Sequence, residues 1–305
     1  MINICRWFFL GLYTIFTLIP RYLITGIICI IDPKKGNELK YKGKPIIPIM
    51  MLSLTLTTYF ICIFLSSRWY VQKLKINYLA NDILESTKIL ETEKSEVIDT
   101  GEYTPNSSDD YANVSFISVD FAELLRKNSE TVGWIKVNNT NVNYSIVQHN
   151  DNEYYLHHDF NRNSNFSGWV YGDYRDNFEY FGNNTILYAH NLTNRSMFGS
   201  LAWCLKESWY TNKDNQFVKI STPTTNTVWK IFSIYTITPE VYYLKTYFST
   251  EEEHQEFLNK LKSRSIYNFN ENLTPSDKIL TLSTCSDDGT KRIAIHAKMV
   301  KVEYR

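Results

Sequence analysis

Short segments rich in β-branched and aromatic residues follow one another through the second half of the chain, and they limit the folds it can adopt. From Val132 onward they read GWIKV, NYSIV, GWVYGDY, NTILYAH, QFVKIS, VWKIFSIYTI, KILTLSTC and RIAIHAKMVKVEY, with polar turns such as VNNTN and RNSN between them. About eight short strands separated by turns are typical of an all-β barrel or sandwich. Two predicted helices interrupt the strands, over Ser196–Trp209 and about Thr250–Ser263, the second capped by Ser249 and Glu252.

The first quarter of the chain is apolar and predicts a membrane anchor over residues 1–67. The run Ile46–Ser67 contains no charged residue, and its length is about that needed to cross a bilayer core as a helix. The earlier run Trp7–Ile31 contains Pro20 and Arg21, so it is compatible with a second span or with an interfacial position. The sequence therefore leaves one span and two spans open.

The segment between the two apolar runs, residues 32–45, is short and rich in lysine, which predicts a cytoplasmic loop. The chain after Ser67 is then expected outside the cell. Residues 68–114 are predicted to form a helical stalk and a polar linker, and residues 115–305 the exported domain.

Charge and cysteine usage exclude several classes of function. The formal net charge is +0, which gives no electrostatic footprint for nucleic acid. In the exported part the cysteines are Cys204 and Cys285, and their spacing fits neither a disulfide framework nor paired zinc ligands. We expect no nucleic acid partner, no metal and no cofactor, and we expect Cys204 to be a core residue.

Cys285 ends the apolar strand KILTLSTC, and Arg292 begins the next strand after a short turn. If the two strands form a hairpin, these residues are near-opposite neighbours with Cβ atoms about 4.5–5.5 Å apart. A nearby arginine favours the thiolate, which is the nucleophilic form, and can bind a developing oxyanion. By pattern alone, a buried and inert cysteine remains the alternative.

Catalysis by a cysteine also needs an acid, and one histidine has a suitable position. His190 ends the apolar strand NTILYAH, and strand ends are where catalytic groups cluster on a rigid scaffold. A surface histidine is the alternative. His254 is expected on the solvated face of a helix, and His296 is expected to be a structural residue within a strand.

These segments together resemble the sortase family, the membrane-anchored cysteine transpeptidases of Gram-positive bacteria. Across residues 115–305 the family's order is followed by SETVGWIKVNNTNVNYSIVQ, DNEYYLHHDF, GWVYGDYRDN, LYAHN, SMFGSL and TLSTC. The helix over residues 250–263, before the cysteine strand, and the helical segment before GWIKV are similar to class B. The resemblance implies a mainly β fold, a closed eight-stranded sortase-type barrel.

The resemblance implies that His190, Cys285 and Arg292 are catalytic, although the family usually has GHN where this chain has AHN. Lys291 is a neighbouring alternative to Arg292, but strand alternation places it on the other face. The resemblance also implies six cleft residues, for each of which loop packing is the alternative. They are Asn152, Leu156, Thr238, Tyr242, Tyr243 and Ser283.

The activity implied by the resemblance is cleavage after threonine in a C-terminal sorting motif of a surface protein. A peptidoglycan precursor amine then resolves the cysteine thioester. The anchor contacts membrane lipid, and the catalytic domain is expected on the extracellular face of the cell membrane. The alternatives are a cell-wall cysteine peptidase, a pilus-assembling sortase and a membrane-tethered β-domain without catalytic activity.

Overall fold

The computed structural model describes residues 31–32, 40–41, 44–92, 111, 113–285 and 291–305. By its internal contacts the chain divides into two units, Met1–Val71 and Gln72–Arg305. The first elements are β1 (Lys40–Tyr41), β2 (Lys44–Pro45), α1 (Ile46–Ser86), β3 (Ile89–Thr92), β4 (Phe116–Val119) and α2 (Ala122–Lys127). They are followed by β5 (Thr131–Val137), β6 (Asn143–Val147), β7 (Tyr171–Gly172), β8 (Asn184–His190), α3 (Glu207–Tyr210), β9 (Phe217–Ser221), β10 (Thr225–Ile237), α4 (Glu251–Ser263), β11 (Ile279–Cys285) and β12 (Arg292–Tyr304).

Strands β5 to β12 form a closed barrel in the order β10–β12–β11–β8–β7–β6–β5–β9. Two neighbouring pairs are parallel, β11 with β8 and β6 with β7, and the other pairs are antiparallel. Closure gives both edges of each strand a hydrogen-bonded neighbour. The predicted eight-stranded barrel is confirmed.

The strands near the site are buried along almost their whole length, which explains their nearly continuous apolar sequences. Every residue of β8 is buried except His190, which is half-buried. One apolar cluster of the domain includes the fully buried Trp134, Trp169 and Trp229. A second cluster joins α4 to β10 around Leu258. Burial of each large apolar side chain stabilises the fold by about 1.5–3 kcal/mol.

The helix predicted before the cysteine strand is confirmed as α4, with a cap one residue later than expected. Thr250 Oγ1 accepts from the backbone N–H of Glu253 at 3.2 Å, and the Glu253 carboxylate accepts from Ser249 N–H at 2.8 Å. These two bonds cap the helix much as a capping box does, except that the Glu253 carboxylate accepts from Ser249, the residue before the cap, and Glu253 takes the place of the predicted Glu252.

The prediction of one helix over Ser196–Trp209 is wrong in part. The segment forms a 3₁₀ turn over Gly199–Leu205 and then the single-turn helix α3. Lys206 lies between them with extended backbone angles, φ −87° and ψ 138°, which no α-helix accommodates.

The N-terminal region differs from its prediction. The backbone of Ile46–Ser67 is helical as part of α1, which continues past the charged Arg68 and Lys73. Within the described residues, no helix is both long and apolar enough to cross a membrane. The prediction of a membrane-spanning helix over Ile46–Ser67 is therefore not supported by the described residues. The earlier run, Trp7–Ile31, lies outside the described residues except for Ile31.

The segment after the predicted anchor packs onto the domain as its spacing indicates. Ile76 and Ile83 of α1 are buried in the main apolar cluster, with Leu79 partly buried beside them. The predicted domain boundaries after Ser67 and before Ser115 stay predictions, and most of the linker lies outside the described residues.

Candidate active site

The parallel pair β8 and β11 brings the predicted acid and the predicted nucleophile to one edge of the barrel. Their register runs from Ile279 opposite Asn184 to Cys285 opposite His190. Neighbouring strands lie about 4.8 Å apart, and side chains on registered positions point to the same face. The backbone therefore places Cys285 and His190 side by side, while the Cys285 side chain lies outside the described part of the structure.

The antiparallel pair β11 and β12 brings the predicted arginine to the same edge. Ser283 pairs with Ala294, and the Ile293 N–H donates to Thr284 Oγ1 at 3.0 Å. Continuing this register by two residues places Arg292 opposite Cys285, as the hairpin argument expects. Three neighbouring strands thus carry His190, Cys285 and Arg292 at their ends. We call this part of the barrel rim, formed by the ends of β8 and β11 and the start of β12, the strand edge. Their catalytic roles stay a prediction at this point.

One hydrogen bond fixes the orientation of the His190 ring. Nε2 lies 2.9 Å from the carbonyl oxygen of Leu156. A carbonyl oxygen only accepts, so Nε2 carries a proton and donates it to this bond. A carbonyl partner also stabilises the doubly protonated imidazolium, because a charged donor makes a stronger hydrogen bond. Leu156, predicted as a cleft residue, thus contacts His190 through its backbone.

The 3₁₀ turn Tyr154–Leu156 that supplies this carbonyl is rigidly held. The buried Tyr155 donates its hydroxyl to Glu130 Oε2 at 2.5 Å and accepts from Asn128 Nδ2 at 2.8 Å. Gly168 has φ +55°, and a Cβ added to it would lie 2.5 Å from the Tyr155 carbonyl oxygen. Only glycine fits this close approach of two backbone segments without strain.

The remaining predicted cleft residues differ in exposure. Thr238 is exposed and Tyr242 is half-buried. Lys260 Nζ lies 4.1 Å and Arg264 Cζ 4.3 Å from the centre of the Tyr242 ring, distances typical of cation–π contacts. The position of this ring is therefore set partly by two cations from the segment of α4.

Tyr243 and Ser283 are both buried and bond to each other, with the hydroxyl oxygens 3.0 Å apart. In this structure the pair joins the 3₁₀ turn Tyr242–Leu244 to β11 directly beneath the strand edge. The substrate-binding role of the six predicted cleft residues stays a prediction.

Sequence reasoning missed a buried polar network that supports this turn. Asn184 Nδ2 donates to the carbonyls of Tyr243 and Lys245 at 3.2 and 2.9 Å, and Asn184 Oδ1 accepts from Thr281 Oγ1 at 2.6 Å. The available signal was a pair of polar residues, Asn184 and Thr281, near the starts of two buried strands. Buried amides and hydroxyls of this kind are nearly always hydrogen-bonded.

Two histidines outside the strand edge are structural. His296 bonds to Thr281 Oγ1 and Tyr235 OH, each at 2.9 Å, and complete burial lowers the pKa of His296 to about 3. It is therefore neutral, which confirms its predicted structural role. The solvated position expected for His254 is wrong, because this ring is 1% exposed, stacks on Phe248 and bonds to the Pro275 carbonyl.

Cys204 is a fully buried core residue, as predicted. Burial raises the pKa of its thiol well above the ordinary value, so it stays protonated and unreactive. In the part of the chain that the structure describes, no three His, Cys, Asp or Glu side chains are grouped to hold a metal ion.

Comparison with known proteins agrees with this fold. The protein-family model of the Sortase domain matches residues 135–300, more than half of the chain. Sortase B of Staphylococcus aureus (strain NCTC 8325 / PS 47) is 36% identical over 190 residues, covering 60% of this chain and 75% of that protein.

Solved structures of sortase B are similar to this chain over the same domain. The S. aureus sortase B–substrate complex has a TM-score of 0.56 at 35% identity, covering 59% of this chain and 84% of that one. Sortase B complexed with triglycine has a TM-score of 0.56 at 34% identity, and the match covers 59% of this chain and 85% of that one. The chain belongs to the sortase family of cysteine transpeptidases, and within that family to class B.

Proposed function

We propose that this transpeptidase cleaves a sorting motif after threonine near the C-terminus of a surface protein and joins the new carboxyl end to a peptidoglycan precursor amine. The observation that carries the proposal is the register that pairs Cys285 with His190 at the end of β11. The similar S. aureus structure is a complex with substrate, and another is a complex with triglycine, whose terminal amine is of the kind required.

In the first half of the reaction the Cys285 thiolate attacks the threonine carbonyl carbon and forms a tetrahedral intermediate. Arg292 binds the oxyanion with fixed guanidinium donors. The carbon–nitrogen bond then breaks, and His190 as imidazolium gives its proton to the leaving amine. The product is a thioester between Cys285 and the substrate.

In the second half the acceptor amine attacks the thioester carbonyl, and His190 takes the proton that the amine loses. The carbon–sulfur bond breaks, the thiolate returns, and a new amide joins donor and acceptor. The Leu156 carbonyl keeps the His190 ring in one orientation through both steps, because it accepts from Nε2 in either protonation state.

We further propose that the catalytic domain acts on the extracellular face of the cell membrane, held there through membrane lipid by the apolar N-terminal sequence. The lysine-rich residues 32–45 support this orientation. Protease added to intact cells should cleave the catalytic domain, and the protein should stay with the membrane fraction after a carbonate wash. Recovery in the supernatant would contradict the proposal.

The proposed reaction is tested by incubating the full-length protein with quenched peptides of NPxTx-like and xPxTG-like sequence. A thioester adduct on Cys285, detected by mass spectrometry, is the expected result. Cys285→Ala should form none, and Cys204→Ala should form as much as the wild type. An adduct elsewhere, or none with any peptide, would contradict the proposal.

The choice of acceptor separates this function from that of a pilus-assembling sortase. Triglycine and a lysine-containing peptide are added in competition to the acylated protein, and the products are identified by mass. Preferential transfer to triglycine is expected, and preferential transfer to the lysine side chain would favour pilus assembly.

A further inference from the structure

A buried carboxylate, that of Asp173, lies between two segments that carry predicted cleft residues. Asp173 directly follows β7 and is 0% exposed. Its oxygens accept from Arg175 Nε at 2.7 Å and Nη2 at 2.8 Å, from Tyr188 OH at 2.9 Å and from Asn152 Nδ2 at 3.0 Å. A buried charge is costly unless it is paired and hydrogen-bonded, and Asp173 meets both conditions.

The pair of Asp173 and Arg175 is charged at neutral pH. Burial works to raise the pKa of Asp173, but the hydrogen bonds from Arg175 and Tyr188 outweigh it and hold the pKa below its ordinary value. The pKa of Arg175 is raised, chiefly by its hydrogen bonds to Asp173. The pair is buried on one side only, because the Arg175 side chain is 39% exposed whereas that of Asp173 is 0% exposed.

The first connection from this pair is to Asn152, a predicted cleft residue. Asn152 donates to Asp173 through Nδ2 and accepts the Tyr174 N–H at Oδ1, at 3.0 Å. Both ends of its amide are therefore bound, which fixes its rotamer and its orientation. The turn that positions His190 through the Leu156 carbonyl begins two residues later.

The second connection is to the opposite segment. Arg175 Nη2, which also donates to Asp173, lies 3.0 Å from the carbonyl oxygen of Leu244 and donates to it. Leu244 ends the 3₁₀ turn that carries Tyr242 and Tyr243. A single carboxylate and its arginine thus connect the segment 152–156 to the segment 242–245.

We propose that Asp173 and Arg175 form a positioning pair that holds these two segments, the walls of the substrate cleft, at a fixed separation. The inference rests on the proposed function, because it assigns the segments to the cleft of that same reaction. Neither residue takes part in the bond-making steps. The pair acts on peptide affinity through Asn152 and through the turn that carries Tyr242.

Both Arg175 and Asn184 hold the Tyr242–Leu244 turn through backbone carbonyls, and we call these two residues wall anchors. The test is practical because removing one of them does not release the turn. Asn184 still holds the carbonyls of Tyr243 and Lys245, on either side of Leu244. Arg175→Met keeps most of the apolar stem and removes the donors. Arg175→Lys keeps the charge but not the planar fork, so it should rescue in part.

The experiment compares the full-length wild type with Arg175→Met and Arg175→Lys. Arg126→Met is the matched control, since Arg126 forms an exposed ion pair with Glu123 on α2. Four quantities are measured: kcat and KM for a quenched NPxTx-like peptide, the rate of Cys285 alkylation by iodoacetamide, and amide hydrogen exchange across the domain.

For Arg175→Met we expect a KM about tenfold higher, as for loss of a hydrogen bond to a charged group, with kcat and the alkylation rate within about twofold. Amide exchange should rise in residues 152–153 and 242–245. It should stay unchanged in β8, in β11 and at Leu156, because the Tyr155 hydroxyl still holds the turn whose carbonyl orients His190. Unchanged exchange in the two segments, or an unchanged KM despite faster exchange, would overturn the inference. A wild type that cleaves no peptide would defeat the proposed function instead, and exchange would still decide whether the pair holds the two segments.

Discussion

The strand edge that carries His190, Cys285 and Arg292 and the two cleft walls are positioned by different forces. At the strand edge, the backbone hydrogen bonds of β8, β11 and β12 set the spacing of the three residues. In the walls, residues 152–156 and 242–245, the backbone follows 3₁₀ turns and loops. Buried side chains from other parts of the barrel hold those segments in place.

This difference has a consequence for mutation. A side chain at the strand edge can be replaced without moving its neighbours, because the ladder does not depend on it. A wall anchor such as Asn184 supports backbone carbonyls, so its replacement moves segments that it does not belong to. Substitutions at the strand edge should therefore lower the rate of the bond-making steps without moving the backbone. Substitutions in the walls should move the cleft backbone without removing a group that takes part in those steps.

The largest expected effect comes from Cys285→Ala at the strand edge. Loss of the nucleophile should lower kcat/KM for the sorting peptide by roughly 10⁴-fold or more, with little change in the midpoint of urea unfolding. Peptide cleavage and urea denaturation measure the two effects.

Cys204→Ala is the matched control, because it removes a thiol from the core. It should keep kcat/KM within about threefold and lower the free energy of unfolding by about 1 kcal/mol. The reverse pattern, in which Cys204→Ala abolishes cleavage and Cys285→Ala does not, would refute the assignment of the nucleophile.

The second effect concerns the arginine of the strand edge. Arg292→Ala should lower kcat by about 10²–10³-fold, as does removal of one donor to an oxyanion, while KM changes little. Arg292→Lys should recover part of this loss, because a lysine keeps the charge but lacks the fixed fork. Lys291→Ala is the control and should leave kcat within about twofold. An equal loss for Lys291→Ala would contradict the strand alternation that selects Arg292.

The third effect tests the walls. Asn184→Ala removes the donors to the Tyr243 and Lys245 carbonyls and the acceptor for Thr281. The free energy of unfolding should therefore fall by about 3 kcal/mol. KM for the peptide should rise, and the alkylation rate of Cys285 should not change.

Asn259→Ala on the exposed face of α4 is the control for this substitution and should change stability by less than about 0.5 kcal/mol. If Asn184→Ala lowers the alkylation rate as strongly as it raises KM, the edge and the walls are not independent.

The same difference explains what the sequence could predict. Strand periodicity and the short turn before Arg292 are local patterns, so the hairpin of β11 and β12 and the place of Cys285 at its end were predictable. The parallel pairing of β8 with β11 joins segments distant in the chain, and only the family resemblance placed His190 beside Cys285. The burial of Tyr243 and His254 depends on neighbours from other elements, which no local pattern contains.

The smallest expected effect concerns two carboxyl groups of the loop that follows β7, those of Asp173 and Asp176, whose pKa values are shifted in opposite directions. Asp173 is held charged by Arg175, whereas burial raises the pKa of Asp176 to about 7, and the nearby Asp173 charge adds to the shift. Asp176 Oδ2 accepts the N–H of Ile186 in β8 at 2.6 Å. Since the folded pKa is above that of the unfolded chain, folding favours the protonated form, and the contribution of Asp176 to stability should fall as pH rises from about 4 to about 7.

Asp176→Asn keeps an acceptor for the Ile186 N–H and cannot ionise. It should match the wild type near pH 4 and exceed its free energy of unfolding by a margin that grows as pH rises towards 8, as measured by urea denaturation. Asp214→Asn, in a 3₁₀ turn outside the walls, should leave the wild-type pH dependence in place. A difference in stability between Asp176→Asn and the wild type that stays level from pH 4 to pH 8 would show that folding does not raise the pKa of Asp176. The loop would then hold both carboxyl groups charged, and the contrast with Asp173 would be lost.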